Sequence, residues 1–399
     1  MTERLAELNV PDRLLLGPGP SNVHPRVYRA MMTPVIGYLD PQFIQLLDDT
    51  QRPLRSVFRT ENEMTMPISG TGTAGMEAAI YNIVEPGDAV IVCQNGFFGT
   101  RMVDMAKRCD AEVTLVEADW GRIIEPEQVK AALKSVGRQV KVVMIVHAET
   151  STGILQPLEE ISRIVHEEGA LLLVDAVTSL SGCELLVDDW NIDVCFSGTQ
   201  KCLSAPPGMA PITFSQPAMD IVMNRKEPVR SWYFDVSMLR KYFVGDQGTR
   251  VYHHTPPMTM LYALREGLRV VVEEGLEARI TRHKRNADAL HAGFAVMGIE
   301  IHAQEGYRLP SLTTARVPEG IDDDELRAGL LNEHNIEVGR GIAELQGKVL
   351  RIGLMGYNST EANVLTLLYA LETQLLNQGF QLDKGAGVSA ATTHYDKTR

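Results

Sequence analysis

The chain has 399 residues, 44% apolar and 22% charged, with 38 Lys and Arg against 51 Asp and Glu for a formal charge of -13. That much apolar surface offsets chain entropy and excludes predominant disorder, and the length excludes a disulfide mini-scaffold and predicts two domains, or a large one with a smaller one. The acidic balance repels nucleic acid and anionic membranes, so neither is an expected partner, and no apolar run approaches a bilayer span.

In chain order, residues 1–13 are polar and read as an N-terminal arm, without the apolar core of a signal peptide. The other end, closing on Lys397-Thr398-Arg399, shows no receptor-read address. Five cysteines (Cys93, Cys109, Cys183, Cys195 and Cys202) are odd in number and none lies in a C-x-x-C pair. Buried, reduced thiols in a cytoplasmic protein are the expectation. Leu14-Leu-Leu-Gly-Pro-Gly-Pro20 reads as a loop stiffened by its prolines. From residue 64 onward short apolar runs alternate with amphipathic stretches. Strands are predicted over 64–69, 89–93, 112–116, 140–146, 171–175, 194–197 and 211–214. Helices are predicted over 73–84, 99–108, 127–135, 158–168 and 217–225. This alternation predicts an α/β domain with a mostly parallel seven-stranded sheet, its ligands beyond the carboxyl ends of the strands. Two long helices follow over 256–274 and 276–297. Strand-like 311–317, helix-like 322–334, strand-like 336–338 and 349–352, and helix-like 360–377 then make a smaller C-terminal α+β unit. The expected division is an arm at 1–13, a large domain at 14–274, a small domain at 275–380 and, where Gly, Ala, Thr and Lys dominate, a loose tail at 381–399.

Gly70-Thr-Gly-Thr-Ala-Gly75 matches G-x-G-x-x-G between a strand and a helix, the setting for a phosphate at a helix N-terminus. A dinucleotide site needs a carboxylate near the end of the next strand. That strand ends Val92-Cys-Gln-Asn95 and has none. The threonines Thr71 and Thr73 add hydroxyl donors, so the loop reads as a single-phosphate cradle; a glycine turn that packs a helix on a strand is the alternative. His147-Ala-Glu149 matches half of a zinc-deaminase motif whose P-C-x-x-C half is missing. His253-His254 lacks a third ligand, His24 is uninformative, and no metal is expected.

Asp175 closes the apolar run that begins at Ala170. A carboxylate there either caps the turn or has a cationic or hydrogen-bonding partner. Lys201 decides between them. It follows the strand at 194–197 through Gly198-Thr-Gln200 and sits among small and apolar neighbours. Desolvation lowers a lysine's pKa and makes it the nucleophile that carbonyl chemistry requires. An acid, a lysine and a phosphate cradle at three strand ends match the needs of pyridoxal 5′-phosphate.

These residues, with Leu14–Asn22, Ile68–Gly72, Val84–Asp88, His147–Gly153, Val174–Val177, Ser197–Lys201, Tyr252–Thr255 and Gly347–Gly353, make the chain resemble a class-V aminotransferase of the alanine–glyoxylate and serine–pyruvate group. The resemblance runs from Leu14 to Leu375. It implies the fold-type I architecture of pyridoxal-phosphate-dependent transferases and a homodimer with shared active sites. By position, it implies that Lys201 holds the cofactor and carries the substrate proton, and that Asp175 pairs with the pyridine nitrogen. Thr71, Gly72, Thr73 and Gln200 would bind the phosphate, with Tyr252 and Thr255 lent across the dimer. Thr150 would donate to the ring hydroxyl, Val177 would pack under the ring, and Phe98 would stack on it where many members have tryptophan. Arg351 would clamp the substrate carboxylate, and Gly19 and Pro20 would line the amino-acid site. Read from the residues alone, Thr255 also fits as the cap of a helix starting at Pro256, and Arg351 as an ordinary ion-pair residue.

The expected reaction is transfer of the amino group of alanine or serine to glyoxylate, so small amino and 2-oxo acids are the expected partners. An alternative is the ureidoglycine–glyoxylate branch, which the segments 198–204, 208–213, 233–235 and 259–267 resemble. That branch places amide side chains where this chain has Tyr38 and Trp232, and a ureido group buried without partners costs about 1–3 kcal/mol. Pyridoxamine–pyruvate aminotransferase, a third relative, gives up the phosphate site that Thr71 and Thr73 keep here. An NAD-linked dehydrogenase would use the glycine loop but leaves Lys201 and Asp175 without a role.

Overall fold

Short strands that are apolar on both faces need cover on both faces, and here six of them, with the more exposed edge strand Glu112–Glu117, form one sheet. In the computed structural model, which describes residues 5–245 and 249–399, the strands lie edge to edge as Met64–Ser69, Met209–Phe214, Val194–Phe196, Leu171–Asp175, Val140–Val146, Ala89–Gln94 and Glu112–Glu117. Only Met209–Phe214 runs antiparallel to its neighbours. The chain steps outward from Ala89–Gln94 to Glu112–Glu117, then returns inside through Val140–Val146. The loops after Gln94 and Val146 therefore leave in opposite directions, and a crevice opens between them at the carboxyl edge.

The predicted strands and most predicted helices are present within two residues or so. The helices Pro25–Met31, Pro41–Phe58 and Val236–Phe243 were not expected. In Pro41–Phe58 the polar run Asp48-Asp49-Thr50-Gln51-Arg52 and the internal Pro53 obscure the pattern. Even so, Asp40 caps its first turn through Gln42 N at 2.8 Å, and Phe43, Leu47, Leu54, Val57 and Phe58 are buried along one side.

The C-terminal unit has a three-stranded antiparallel sheet, Leu312–Arg316, Val349–Gly353 and Gly339–Arg340, with the helices Asp323–His334 and Glu361–Asn377. Its core gathers Leu290, Phe294, Leu326, Leu350, Ile352 and Leu368, and it also takes in Leu16. The segment at 14–16, expected with the large domain, instead belongs to this core. Leu14–Leu15 pairs in parallel with Ile336–Glu337, and Gly353 N donates to the Leu16 carbonyl at 2.8 Å.

The loose tail expected at 381–399 is also corrected. Residues Ala386–Lys397 form a helix against Leu276–Met297 and Glu361–Asn377. Its small residues serve close approach. A Cβ on Gly387 would lie 2.6 Å from Met297 Sδ, and one on Gly293 would lie 3.1 Å from the Gly387 carbonyl. Gly387, Ala391 and Tyr395, four residues apart, make the buried face, and Tyr395 donates to Asn286 Oδ1 at 2.8 Å. The buried Glu372 carboxylate accepts from Gly385 N at 2.8 Å and Gly387 N at 2.7 Å, where a helix has N–H groups to satisfy. Glu372→Ala leaves those donors without their acceptor, and a loss of about 1–3 kcal/mol is expected in denaturant unfolding. Unchanged stability would mean that the packed glycines alone hold the helix.

Candidate active site

The reactive groups converge on a cavity of about 240 Å³ at the carboxyl edge of the sheet, lined by Gly72, Thr73, Phe98, Arg101, Thr150, Asp175, Val177, Gln200 and Lys201 among others. Five segments supply them, each leaving a strand end.

The glycine loop does two jobs. Gly75 packs its helix on the sheet, since a Cβ there would lie 2.9 Å from Ala210 Cβ. Gly72 opens the helix Gly72–Ile83 against Val177, whose methyl a Cβ would meet at 3.0 Å. Thr71 stands at the N-cap without a capping side-chain bond, which leaves the first N–H groups of the helix available to an anion.

Asp175 ends the strand Leu171–Asp175 with its side chain buried, and it accepts one hydrogen bond, from Val177 N at 2.8 Å. Burial, with Glu149 nearby, pushes its carboxyl up to about 7 against the help of that N–H. Lys201 follows the neighbouring strand. Burial and then the Arg351 charge bring its amine down to about 8, so about one-tenth is unprotonated at pH 7, far more than for a surface lysine. The amine donates to the Pro18 carbonyl. Gly19 is required beside it: its φ is +109°, and a Cβ would lie 2.5 Å from Lys201 Nζ. Pro20 is exposed at the turn that follows, and Ser21 ties that turn down, its N to the Gln200 carbonyl at 2.9 Å and its Oγ to the Lys201 carbonyl at 2.9 Å.

Arg351 is 8% exposed on the strand Val349–Gly353 and is drawn down to about 10 by burial. Its Nε donates to the Arg340 carbonyl at 2.7 Å, and its Nη1 makes a long contact, 3.4 Å, with the Thr150 carbonyl. The structure therefore anchors it between the C-terminal sheet and the loop that carries Thr150.

Thr71, Gly19, Pro20 and Arg351 adjoin residues of the cavity without lining it, and four other expected residues lie elsewhere. Trp232, Tyr252 and Thr255 are exposed and Tyr38 is half-buried; none lines the cavity of its own chain. They come together with one another. The Tyr38 and Tyr252 rings are 4.5 Å apart, Tyr252 Oη is 3.2 Å from Thr255 Oγ1, and Trp232 stacks on His253 at 4.3 Å. His254 Nε2 in turn meets Ser69 Oγ at 2.7 Å, which fixes this patch to the strand that leads into the glycine loop.

Two residues of the site went unread in the sequence. Glu149, whose only signal was the broken deaminase motif, is fully buried and accepts from Phe98 N at 3.0 Å and Ser151 N at 3.0 Å. It holds the turn on which Phe98 sits, and a Cβ on Gly96 would run into it. Arg101 lines the cavity three residues after Phe98, a spacing that shares one helix face. His147, the other half of the motif, meets Ser179 Oγ at 2.9 Å, and burial takes its pKa down to about 3. Among the described residues no group of three His, Cys, Asp or Glu is placed to hold a metal.

Pyridoxal 5′-phosphate fits what these groups lack. The Asp175 carboxylate, buried and short of donors, suits a protonated ring nitrogen. The buried Gln200 Oε1 has no partner, and half a turn of its amide offers an N–H to an anion. The first turn of Gly72–Ile83 suits the phosphate, and Lys201 suits the aldehyde. With nothing bound, Asp175 weakens the fold. Its proton is favoured in the folded state, so the penalty is absent below about pH 4 and grows as pH rises to 7. Asp175→Asn is expected to raise the melting temperature of the cofactor-free protein at pH 8 and to leave it unchanged at pH 4. Equal effects at both pH values would show that ionisation is not the cause.

A family model described as aminotransferase class-V matches residues 23–367. The (S)-ureidoglycine–glyoxylate transaminase of Bacillus subtilis is 40% identical over 98% of this chain and 97% of its own. The alanine–glyoxylate aminotransferase of Drosophila melanogaster is 38% identical over 94% of each. Among solved structures, ureidoglycine–glyoxylate aminotransferase from Bacillus subtilis aligns with a TM-score of 0.95 at 42% identity, over 98% of this chain and 100% of that one. Alanine–glyoxylate aminotransferase from Nostoc sp. aligns at 0.91 and 47%, over 94% and 98%. These likenesses leave the dehydrogenase reading without support. The chain belongs to the class-V aminotransferases and is a transaminase of the fold-type I architecture, with pyridoxal 5′-phosphate as its cofactor.

Proposed function

We propose that the protein moves the amino group of a small amino acid, alanine or serine, to glyoxylate by a ping-pong mechanism. The observation that carries this reading is the pairing of a desolvated Lys201 with a buried Asp175 in one cavity of about 240 Å³, shared by cofactor and substrate. The relatives named for glyoxylate support the choice of acceptor.

Bound pyridoxal 5′-phosphate supplies an aldehyde that takes up amino groups and a conjugated ring that accepts the electron pair left when the α-proton departs. The protein supplies the rest. Lys201 offers a nucleophilic nitrogen because burial lowers its pKa to about 8 and so makes the free amine accessible near neutrality. Displaced by the donor's amino group, that nitrogen is the base that carries the α-proton. Asp175 keeps the ring nitrogen protonated. Arg351 pairs with the α-carboxylate of each substrate in turn, which orients Cα. Phe98 and Val177, which line the cavity, would pack against the ring. The first substrate leaves as its 2-oxo acid before glyoxylate enters and departs as glycine.

The exposed cluster of Tyr38, Trp232, Tyr252 and Thr255 supports a homodimer in which each chain completes its partner's site. The apolar residues Tyr28, Met32, Val35, Leu39 and Val251, also exposed, are consistent with burial against a second copy. Among the described residues no helix is long and apolar enough to cross a membrane. The five free, buried cysteines suit the reducing cytoplasm.

In a half-reaction screen, the yellow protein is mixed with single amino acids and bleaching of its absorbance is followed. Alanine and serine are expected to bleach it fastest. Preference for (S)-ureidoglycine would overturn the donor assignment. Borohydride is expected to fix the cofactor's mass on Lys201, and attachment elsewhere would refute the assignment of that residue. Arg351→Ala is expected to lower kcat/KM for alanine by roughly 100-fold while the colour stays; an unchanged KM would remove Arg351 from the carboxylate site.

A further inference from the structure

The cradle as assigned has no cation. The cofactor's phosphate ester is an anion, yet Thr71, Gly72, Thr73 and Gln200 offer only neutral donors, as do Tyr252 and Thr255. The N-terminus of Gly72–Ile83 contributes about half an elementary charge, and the chain as a whole is acidic, at -13. Lys201 does not fill the gap, since its nitrogen is committed to the aldehyde.

Arg101 stands at this place. It lies on the helix Phe97–Arg108, one turn beyond Phe98, and lines the same cavity as Gly72, Thr73, Gln200 and Lys201. Its Nη1 donates to Thr73 Oγ1 at 2.8 Å, its one side-chain hydrogen bond among the described residues. Its Cζ lies 5.0 Å from the centroid of the Phe98 ring and 5.5 Å from that of Phe97, so two aromatic rings hold the guanidinium plane. No carboxylate pairs with it among the described residues. A guanidinium has five N–H donors, and Thr73 uses one. The remaining donors are the fork that phosphate oxygens accept.

We propose that Arg101 is the counter-ion of the cofactor's phosphate, held against Phe98 and Thr73 so that its guanidinium pairs with the ester oxygens. This rests on the reading of the cavity as a pyridoxal 5′-phosphate site. It gives the acidic protein a local means of holding an anion. It also gives Phe98 a second purpose, as the platform on which the cation lies.

The test compares two aldehydes that differ only in the phosphate. Cofactor-free protein is titrated with pyridoxal 5′-phosphate and with pyridoxal, followed by absorbance, and borohydride trapping on Lys201 verifies the site. Arg101→Gln is expected to raise the Kd of pyridoxal 5′-phosphate roughly 10- to 100-fold and to leave that of pyridoxal within about twofold. Arg101→Lys, which keeps the charge without the fork, is expected to fall between. Inorganic phosphate is expected to compete with the cofactor in the wild type and to lose most of that competition in Arg101→Gln. Equal weakening of both aldehydes would make Arg101 a support for the Phe98 ring and overturn the proposal, as would no change in either. A wild type without an adduct on Lys201 would overturn the cofactor reading itself, and the proposal with it.

Discussion

Desolvation is the constraint from which the site follows. Charged groups are costly in a low-dielectric interior, and the protein keeps an amine and a carboxylate there. Burial pulls the Lys201 amine down to about 8 and pushes the Asp175 carboxyl up to about 7. Both groups are thereby brought toward their neutral forms and toward the working pH, where proton traffic is easiest. The two shifts have one origin, the adjacent strand ends that place both groups at the same edge of the sheet. Without the sheet's uniformly apolar strands there would be no dry edge, and the lysine would be an ordinary surface cation.

Much of this was legible in the residues. Most of the seven strands announced themselves as apolar runs, because a strand covered on both faces has no alternation to hide; the edge strand Glu112–Glu117 is charged at both ends and largely exposed. Lys201 and Asp175 stood out as ionisable residues among apolar neighbours. The glycine loop was readable because its spacing and its place between a strand and a helix lie within one short stretch, Ile68–Gly75. What stayed hidden depends on partners distant in sequence. Glu149 acquires meaning only when Gly96 and Phe98 fold against it, and the first strand only when Leu14–Leu15 meets Ile336–Glu337, some 320 residues later. The C-terminal helix was misread because Gly and Ala carry two messages. In isolation they suggest looseness, while against another helix they permit close contact, here of Gly387 with Met297.

The site is also divided between structural units. The large sheet supplies Lys201, Asp175, the glycine loop and Phe98, and the C-terminal sheet supplies Arg351. Thr150 joins them, since its side chain lines the cavity while its carbonyl meets the Arg351 guanidinium. The groups proposed to act on the cofactor are thus set by one core, and the group proposed to hold the substrate carboxylate by another. Cofactor chemistry and substrate recognition can therefore vary with some independence in such a chain.

The strand at Leu14–Leu15 joins these two cores mechanically. A single residue, Gly17, separates Leu16, hydrogen-bonded to Gly353 in the C-terminal unit, from Pro18, whose carbonyl accepts from the Lys201 amine. The stretch is short and stiffened by Pro18 and Pro20, so it acts as a tether with little slack. Any swing of the C-terminal unit tugs on the carbonyl opposite the reactive nitrogen, and any change in what that nitrogen holds is felt at the root of the same unit. Residues 14–18 are thereby a linkage between the unit that carries Arg351 and the sheet edge that carries Lys201.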